Sequence, residues 1–509
     1  MEENNKKIMK NTIYLYIRMF VIMGLSFFTT RIVLEKLGAS DYGINNLVAG
    51  FVSSFKVLNN ILEGGTRRFL AYNLGKNNEG LIKRTFSTSL TIHLSIGIII
   101  VIALESLGLW FLNYQLNIEP ERIRAANIIF QLSVLTTFLS IIQTPYSAAV
   151  TAHEKFNIYA YMSIYDVVAK LAVLFLLIYI PGDKLIIYGI LLAFVSTTSI
   201  LIYYGYCLRQ FTECKFSIKT DDTILKEMMK FSGWNALGHI VVVFNGQGIS
   251  ILLNLFFNTV MNASKGLADT VSFTINQFIG GFLVAANPQL VKYYGAGDIE
   301  RFTKLIFNVS QYTIFLMAIF CVPVLLEIDY VLKLWLTEVP QYTSEFIKIG
   351  AICSIIPYSN NMVDSGIVAT GRVKEMNIYA IPVYFINLPL VYLVLKLGWY
   401  PPLVYFVGSI PAFIHFIINL KILSNITTFP SRQYFTQIFL KNFMLIVISL
   451  LIPLAIHSMM QEGLVRFLVV CTISVISTIT IMYFFSLNKD VKQMVNKKNT
   501  IYSFHEKVN

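Results

Sequence analysis

The sequence predicts an all-α integral membrane protein with about fourteen transmembrane helices: two six-helix repeats forming a two-lobed body, followed by two further helices. Three observations carry this reading. The chain of 509 residues is 56% hydrophobic and 13% charged, and its mean hydropathy is +0.64. Its apolar runs are long enough to cross a bilayer, because about 20 residues at 1.5 Å per residue span the hydrocarbon core. Segments also recur at a spacing of 220 residues (377 minus 157), with Asn157-Ile158-Tyr159-Ala160 returning as Asn377-Ile378-Tyr379-Ala380.

Taken in order, the spans are expected near 12–34, 41–63, 82–111, 123–146, 156–180, 183–208, 231–256, 259–287, 302–327, 343–367, 375–397, 401–422, 438–459 and 464–486. The first carries Arg18 and ends at Glu35-Lys36, so it reads as a retained helix rather than a cleaved leader. At the same spacing of 220 residues (295 minus 75), Gly75 falls on Gly295, Leu70 on Leu290, Arg84 on Lys304 and Pro181 on Pro401. An even number of spans per copy gives both copies the same orientation, related by an axis along the membrane normal. The organisation expected is an N-terminal lobe over 1–208, a linker over 209–230, a C-terminal lobe over 231–428, two additional helices over 429–486 and a tail over 487–509.

The net charge of +12 lies mostly in short connections. Lys6, Lys7, Lys10, Arg67, Arg68, Lys83, Arg84, Lys226, Lys230 and Lys489 all fall on one side, which the positive-inside bias makes cytoplasmic, with both termini. No soluble basic face with interleaved aromatics exists, so nucleic acid is excluded as a partner. The five cysteines contain no C-x-x-C pair, which leaves neither a disulfide framework nor a metal site, and no cofactor is indicated. A phosphate-binding loop of the G-x-x-x-x-G-K-[ST] type is also missing, so transport driven by the chain's own nucleotide hydrolysis is disfavoured.

The candidate functional residues lie on polar stripes inside the spans. In the second span Asn45, Ala49, Ser53, Lys56, Asn60 and Glu63 recur at helical spacing. A lysine near mid-membrane costs roughly 2.5–3.5 kcal/mol on insertion scales, so Lys56 is expected to face a cavity or a partner. Asn11, Tyr14, Arg18 and Thr29 share one face of the first span, and Asn235 and Asn245 lie on the seventh. The eighth span repeats the stripe as Lys265, Asp269, Ser272, Asn276 and Gly280. Cations gathered on facing surfaces would attract an anion, for which phosphate is the natural ligand of Arg and Lys. Each also has a structural alternative: Arg18 can snorkel, Lys56 can pair with Glu63, and Asp269 with Lys265 and Lys170 with Asp166 stand at i,i+4 ion-pair spacing. Arg67 and Arg68 are either topology signals or a cytoplasmic gate, and Asp166 and Asp364 are candidates for coupling to an ion.

The run Leu37-Gly38-Ala39-Ser40-Asp41-Tyr42-Gly43, the polar second span, and Arg67-Arg68-Phe69-Leu70-Ala71-Tyr72-Asn73-Leu74-Gly75 resemble the N-terminal signature of Wzx-type polysaccharide flippases, members of the multidrug/oligosaccharidyl-lipid/polysaccharide exporter superfamily. The resemblance implies a MATE-like two-lobed transporter, not an enzyme, in the bacterial inner membrane. It implies an undecaprenyl-pyrophosphate-linked oligosaccharide as substrate, moved to the outer leaflet for O-antigen, capsule or exopolysaccharide synthesis. Arg18, Lys56 and Lys265 would then contact the pyrophosphate, with membrane lipids around the protein, H+ or Na+ as a coupling ion, and a polymerase or glycosyltransferases as partners. A cation-coupled multidrug exporter and a membrane polymerase or ligase acting on lipid-linked sugars are the alternatives.

Overall fold

The computed structural model describes residues 24, 28–75, 78–153, 155–215 and 221–485. These form helices and short connections, with no strand among the described residues. Among the described residues, eight helices are long and apolar enough to cross a membrane by length and composition, from Glu79–Tyr114 to Leu464–Phe485. The others are shorter or interrupted by polar residues, a pattern expected of helices that line an interior rather than face lipid.

The repeat is visible in where helices start. Glu79–Tyr114 corresponds to Ile299–Trp335 and Lys184–Gln210 to Leu403–Thr427 at the 220-residue spacing (299 minus 79), within one residue at each start. The caps correspond too. Asn78 accepts the backbone N–H of Leu81 at 3.1 Å, and its counterpart Asp298 accepts that of Arg301 at 3.0 Å. Each satisfies a donor that the first helical turn leaves open. The copies differ where proline intervenes: Phe156–Tyr179 is continuous, whereas its counterpart, which contains Pro382 and Pro389, is split into Val373–Phe385 and Asn387–Lys396.

Four apolar clusters are present among the described residues, a small one around Leu62, Ile92 and Met228 and three larger ones that organise the body. One, around Phe86, Tyr146 and Cys207, belongs to the first half. Another, around Phe302, Phe416 and Tyr434, belongs to the second half and takes in Leu445 and Met482 from the last two helices. The largest runs across both halves, from Ile44 and Ile129 to Leu267 and Phe346. The two terminal helices are also fastened by charge: Glu327, 1% exposed, accepts from Arg466 at 3.2 Å and pairs with His457 at 2.8 Å.

Two expectations about local structure are corrected. The helix expected from residue 231 begins at Asp222, because Asp221 accepts the N–H groups of Thr223 and Ile224 and so starts the helix two turns earlier. The second span is not one regular helix. It passes through a π segment at Asn45–Ala49, a short turn of helix at Gly50–Ser54, and a turn at Phe55 and Lys56 before Val57–Gly75.

Candidate functional site

The second span and the Thr259–Gly295 helix, which correspond in the repeat, approach each other where side chains are smallest. A Cβ on Gly43 would lie 1.8 Å from the Thr259 carbonyl oxygen and 3.3 Å from the Ala263 nitrogen, and one on Gly266 would lie 2.7 Å from the Asn46 amide. Only glycine permits backbones this close. The contacts pair equivalent positions: Gly43 with Ala263 and Asn46 with Gly266 share the 220-residue spacing (266 minus 46). The pseudo-twofold axis of the molecule therefore passes between these two helices.

At one end of this interface the halves are sealed by hydrogen bonds. The Asn117 backbone N–H donates to Asn254 Oδ1 at 2.8 Å, Asn254 Nδ2 returns a bond to the Asn117 carbonyl at 3.0 Å, and Asn117 Nδ2 donates to the Phe257 carbonyl. Ser40 and Thr259 share a hydroxyl bond of 3.0 Å. Beside the seal, Arg122 bridges Asp41 and Asp183, reaching Asp183 at 2.7 Å, which ties three segments of the first half together. Burial raises the affinity of Asp183 for a proton, but bonds from Arg122 and from the N–H groups of Ile186 and Leu185 outweigh it and hold the carboxyl below its ordinary range.

Next to the seal lies a half-open chamber of about 270 Å³. It is walled by Asn46 and Gly50 from the second span, Gln247 from the Asp222–Phe256 helix, and Asn262, Asp269 and Phe273 from the Thr259–Gly295 helix. The π segment at Asn45–Ala49 forms part of its wall; such bulges recur at functional positions in helices.

The residues expected from sequence fall into several groups. Lys265 is buried and pairs with Asp269 at 2.7 Å, while Tyr405 donates to the other carboxylate oxygen at 2.6 Å. Asp269 faces the chamber. Asn276 and Ser272 face a smaller recess within the second half, where Asn276 accepts from Tyr358 at 2.7 Å. Asn245 donates to the Tyr384 carbonyl at 2.7 Å and accepts from Asn387 at 2.6 Å, which ties two helices of the second half together. Lys56 is partly buried, forms no ion pair among the described residues, and has Lys170 as its charged neighbour. Ser53 bonds the Gly50 carbonyl, and Asn45 is partly buried within the π segment. Arg67 and Arg68 are exposed on the Val57–Gly75 helix. Asp166 is partly buried and Lys170 exposed, and Lys170 is the charged neighbour of Asp166. Asp364 accepts from Asn360 at 2.9 Å and from Asn419 at 2.5 Å, in a polar cluster that continues to His415 and Tyr384. Asn11 and Arg18 lie outside the described residues, as do the side chains of Asn60 and Asn235.

Sequence reasoning missed Asn46, Gln247 and Asn262. The chamber face of the Thr259–Gly295 helix, through residues 262, 266, 269 and 273, is rotated by roughly 60° from the line through Lys265 and Asn276, with Asp269 common to the face and the stripe. The signal that marks it is the set of small residues, Gly43, Gly50 and Gly266, rather than the set of charges.

This helical body, with several helices long and apolar enough to cross a membrane and repeat-related helices bordering a polar chamber, is that of a multi-pass membrane protein. The family described as "Polysaccharide biosynthesis protein" matches residues 8–294. The chain belongs to that family. Among solved structures it is similar to a lipid II flippase MurJ in an inward closed conformation, with TM-score 0.70 and 15% identity over 93% of this chain and 98% of that one. It is also similar to an inward-facing multidrug resistance MATE family transporter, with TM-score 0.68 and 12% identity over 82% and 98% of the two chains. A third is a superfamily transporter from Pyrococcus furiosus, with TM-score 0.60 and 14% identity over 82% and 95%. No curated protein matches the sequence.

Proposed function

We propose that this protein flips an undecaprenyl-pyrophosphate-linked oligosaccharide from the cytoplasmic to the outer leaflet by alternating access, supplying O-antigen, capsule or exopolysaccharide synthesis. The observation that carries the reading is the chamber between repeat-related helices, closed at one end by Asn117–Asn254 and Ser40–Thr259 bonds that can break and re-form as the halves rock. Membership in a polysaccharide-biosynthesis family and the flippase fold support it. In this reading the sealed end faces outward, both termini are cytoplasmic, and the two lobes meet along 1–208 and 231–428 with the appended helices at 429–486.

Arg18 and Lys56 hold the pyrophosphate, and Arg67 and Arg68 receive it at the cytoplasmic mouth. Lys265 contributes less charge than its position suggests, since Asp269 neutralises it at 2.7 Å. Asp364, whose described partners are neutral amides, is the better of the two candidates for binding H+ or Na+; Asp166 is the other. A polymerase and glycosyltransferases of the same assembly line are the expected partners.

The test is a deletion strain in which lipid-linked repeat units are located by leaflet. The proposal predicts accumulation on the cytoplasmic leaflet and loss of surface polymer, restored by the wild-type chain but not by the Arg18→Ala, Lys56→Ala double variant at equal protein level. Accumulation on the outer leaflet would instead indicate a polymerase or ligase. The carboxylate of Asp269 in the chamber favours a second reading, a cation-coupled exporter of small cationic molecules; drug efflux in a pump-deficient strain separates the two.

A further inference from the structure

The wall of the chamber does not suit a pyrophosphate. The two charges at its edge cancel, because Lys265 and Asp269 are in contact, and Tyr405 occupies the remaining carboxylate oxygen. The other polar residues lining it are neutral: the amides Asn46, Gln247 and Asn262 and the hydroxyl residues Ser250 and Thr270. An anion placed here would meet a carboxylate and carbonyl oxygens, with no unpaired described cation to receive it.

Asn262 points to what does fit. The residue is 2% exposed, its Nδ2 donates to the Ser250 carbonyl at 2.7 Å, and its Oδ1 has no hydrogen-bond partner in the protein. The bond to Ser250 fixes the amide plane, so the acceptor is held in place rather than free to rotate away. A buried carbonyl oxygen left unpaired is costly; Asn59, Asn387 and Asn419 carry such an oxygen too, and Asn262 differs from them in lining the chamber. Its oxygen calls for a donor, and a sugar hydroxyl is a donor that carries no charge. Phe273 presents an exposed ring to the same space, a flat apolar surface for the C–H face of a pyranose. The volume, about 270 Å³, lies near the ~300 Å³ lower end of small-molecule sites, which suits one or two rings and not an entire repeat unit.

We infer that the chamber is a subsite for a neutral sugar ring of the cargo, with Asn262 as a specificity-determining residue and Phe273 as the stacking surface. The inference rests on the reading of the cargo as a lipid-linked oligosaccharide and adds a division of labour within it. The phosphates stay with cations elsewhere, while the leading sugar is read by amides next to the seal, Asn262 standing one turn from Thr259 and Ser250 one turn from Asn254. A uronic acid at this ring position would find no unpaired cation among the described residues to offset the cost of burying its charge.

The test measures binding of the full chain in lipid nanodiscs to undecaprenyl pyrophosphate, to the same lipid carrying one N-acetylglucosamine, and to the same lipid carrying one hexuronic acid. The neutral sugar is expected to tighten binding about ten-fold over the bare lipid, as one well-made buried hydrogen bond with stacking allows, and the uronic acid to give no gain. Asn262→Leu should erase the ten-fold gain and leave the bare lipid's affinity unchanged. Gly50→Leu is the second variant. A side chain there projects into the chamber, with the Gln247 amide 3.6 Å from its Cβ, and it should erase the gain without touching the Asn262–Ser250 bond. If the sugar adds nothing to wild-type affinity, or adds the same in both variants, the subsite is overturned while the flippase reading stands. If neither bare lipid nor sugar lipid binds the wild type, the flippase reading fails and the subsite falls with it.

Discussion

The second span and the Thr259–Gly295 helix descend from one repeat unit, yet they treat a membrane-embedded lysine in opposite ways. On the Thr259–Gly295 helix, Lys265 is 6% exposed at its side chain and is neutralised one turn away by Asp269, which Tyr405 braces in turn. On the second span, Lys56 sits at an interruption between two helical stretches, partly buried, with another lysine as its charged neighbour. The first arrangement spends its charge on holding the helix in place, and the second keeps its charge available. A cationic stripe repeated in sequence is therefore not a cationic surface repeated in space. In the function proposed above, the half with the irregular helix would carry the charge for the cargo and the half with the regular helix the shape.

The largest effect that would sharpen this contrast is Asp269→Ala. It strands the buried ammonium of Lys265 without its partner and should cost about 3–5 kcal/mol, read as a lowered Tm in detergent. Lys265→Ala should cost clearly less, since the Asp269 side chain it leaves behind is 52% exposed and water can solvate it. Equal losses would break the account of the pair.

Next in size is Gly43→Ala. Its Cβ meets a backbone carbonyl at 1.8 Å that has no flexible side chain to yield, and overpacking of this kind costs roughly 1–3 kcal/mol. The cost falls on the sealed arrangement, so disulfide crosslinking between Ser40→Cys and Thr259→Cys should drop in yield. Unchanged crosslinking would show that the two helices can part by a small slide.

Lys56→Met comes third. Thermal stability should change by less than about 1 kcal/mol, because no ion pair is lost among the described residues, while surface polymer falls sharply. A loss of stability matching that of Asp269→Ala would mean Lys56 has a structural partner after all.

The smallest effect concerns Asp183. Its folded carboxyl titrates below the ordinary range, so the stabilisation it gives is present above the unfolded pKa of about 3.9 and disappears as pH falls through the lower folded value. Thermal melts between neutral pH and pH 3 should show a loss at the acid end that is reduced in Arg122→Gln.

Much of the fold could be read directly, because membrane spans are long apolar runs and a repeat of caps and helix starts survives divergence, as Asn78 and Asp298 show. The chamber was legible only in part. Polar residues drew attention to Asn45 and Lys265, whereas close approach selects small residues, and the facing surface runs through their neighbours Asn46 and Gly266. The π segment adds to the error, since it widens the turn and moves every later side chain off a regular projection. Glu327 was invisible for a different reason: its partners His457 and Arg466 lie 130 and 139 residues away, and no local pattern announces a pairing at that range.

The central claim is that cargo passes between the two halves as the Ser40–Thr259 seal opens. Its most direct test is flipping of a fluorescent undecaprenyl-pyrophosphate-linked sugar in proteoliposomes containing the Ser40→Cys, Thr259→Cys double variant. Oxidation should stop flipping and reduction should restore it to the wild-type rate. Flipping that continues undiminished in fully crosslinked protein would contradict the account.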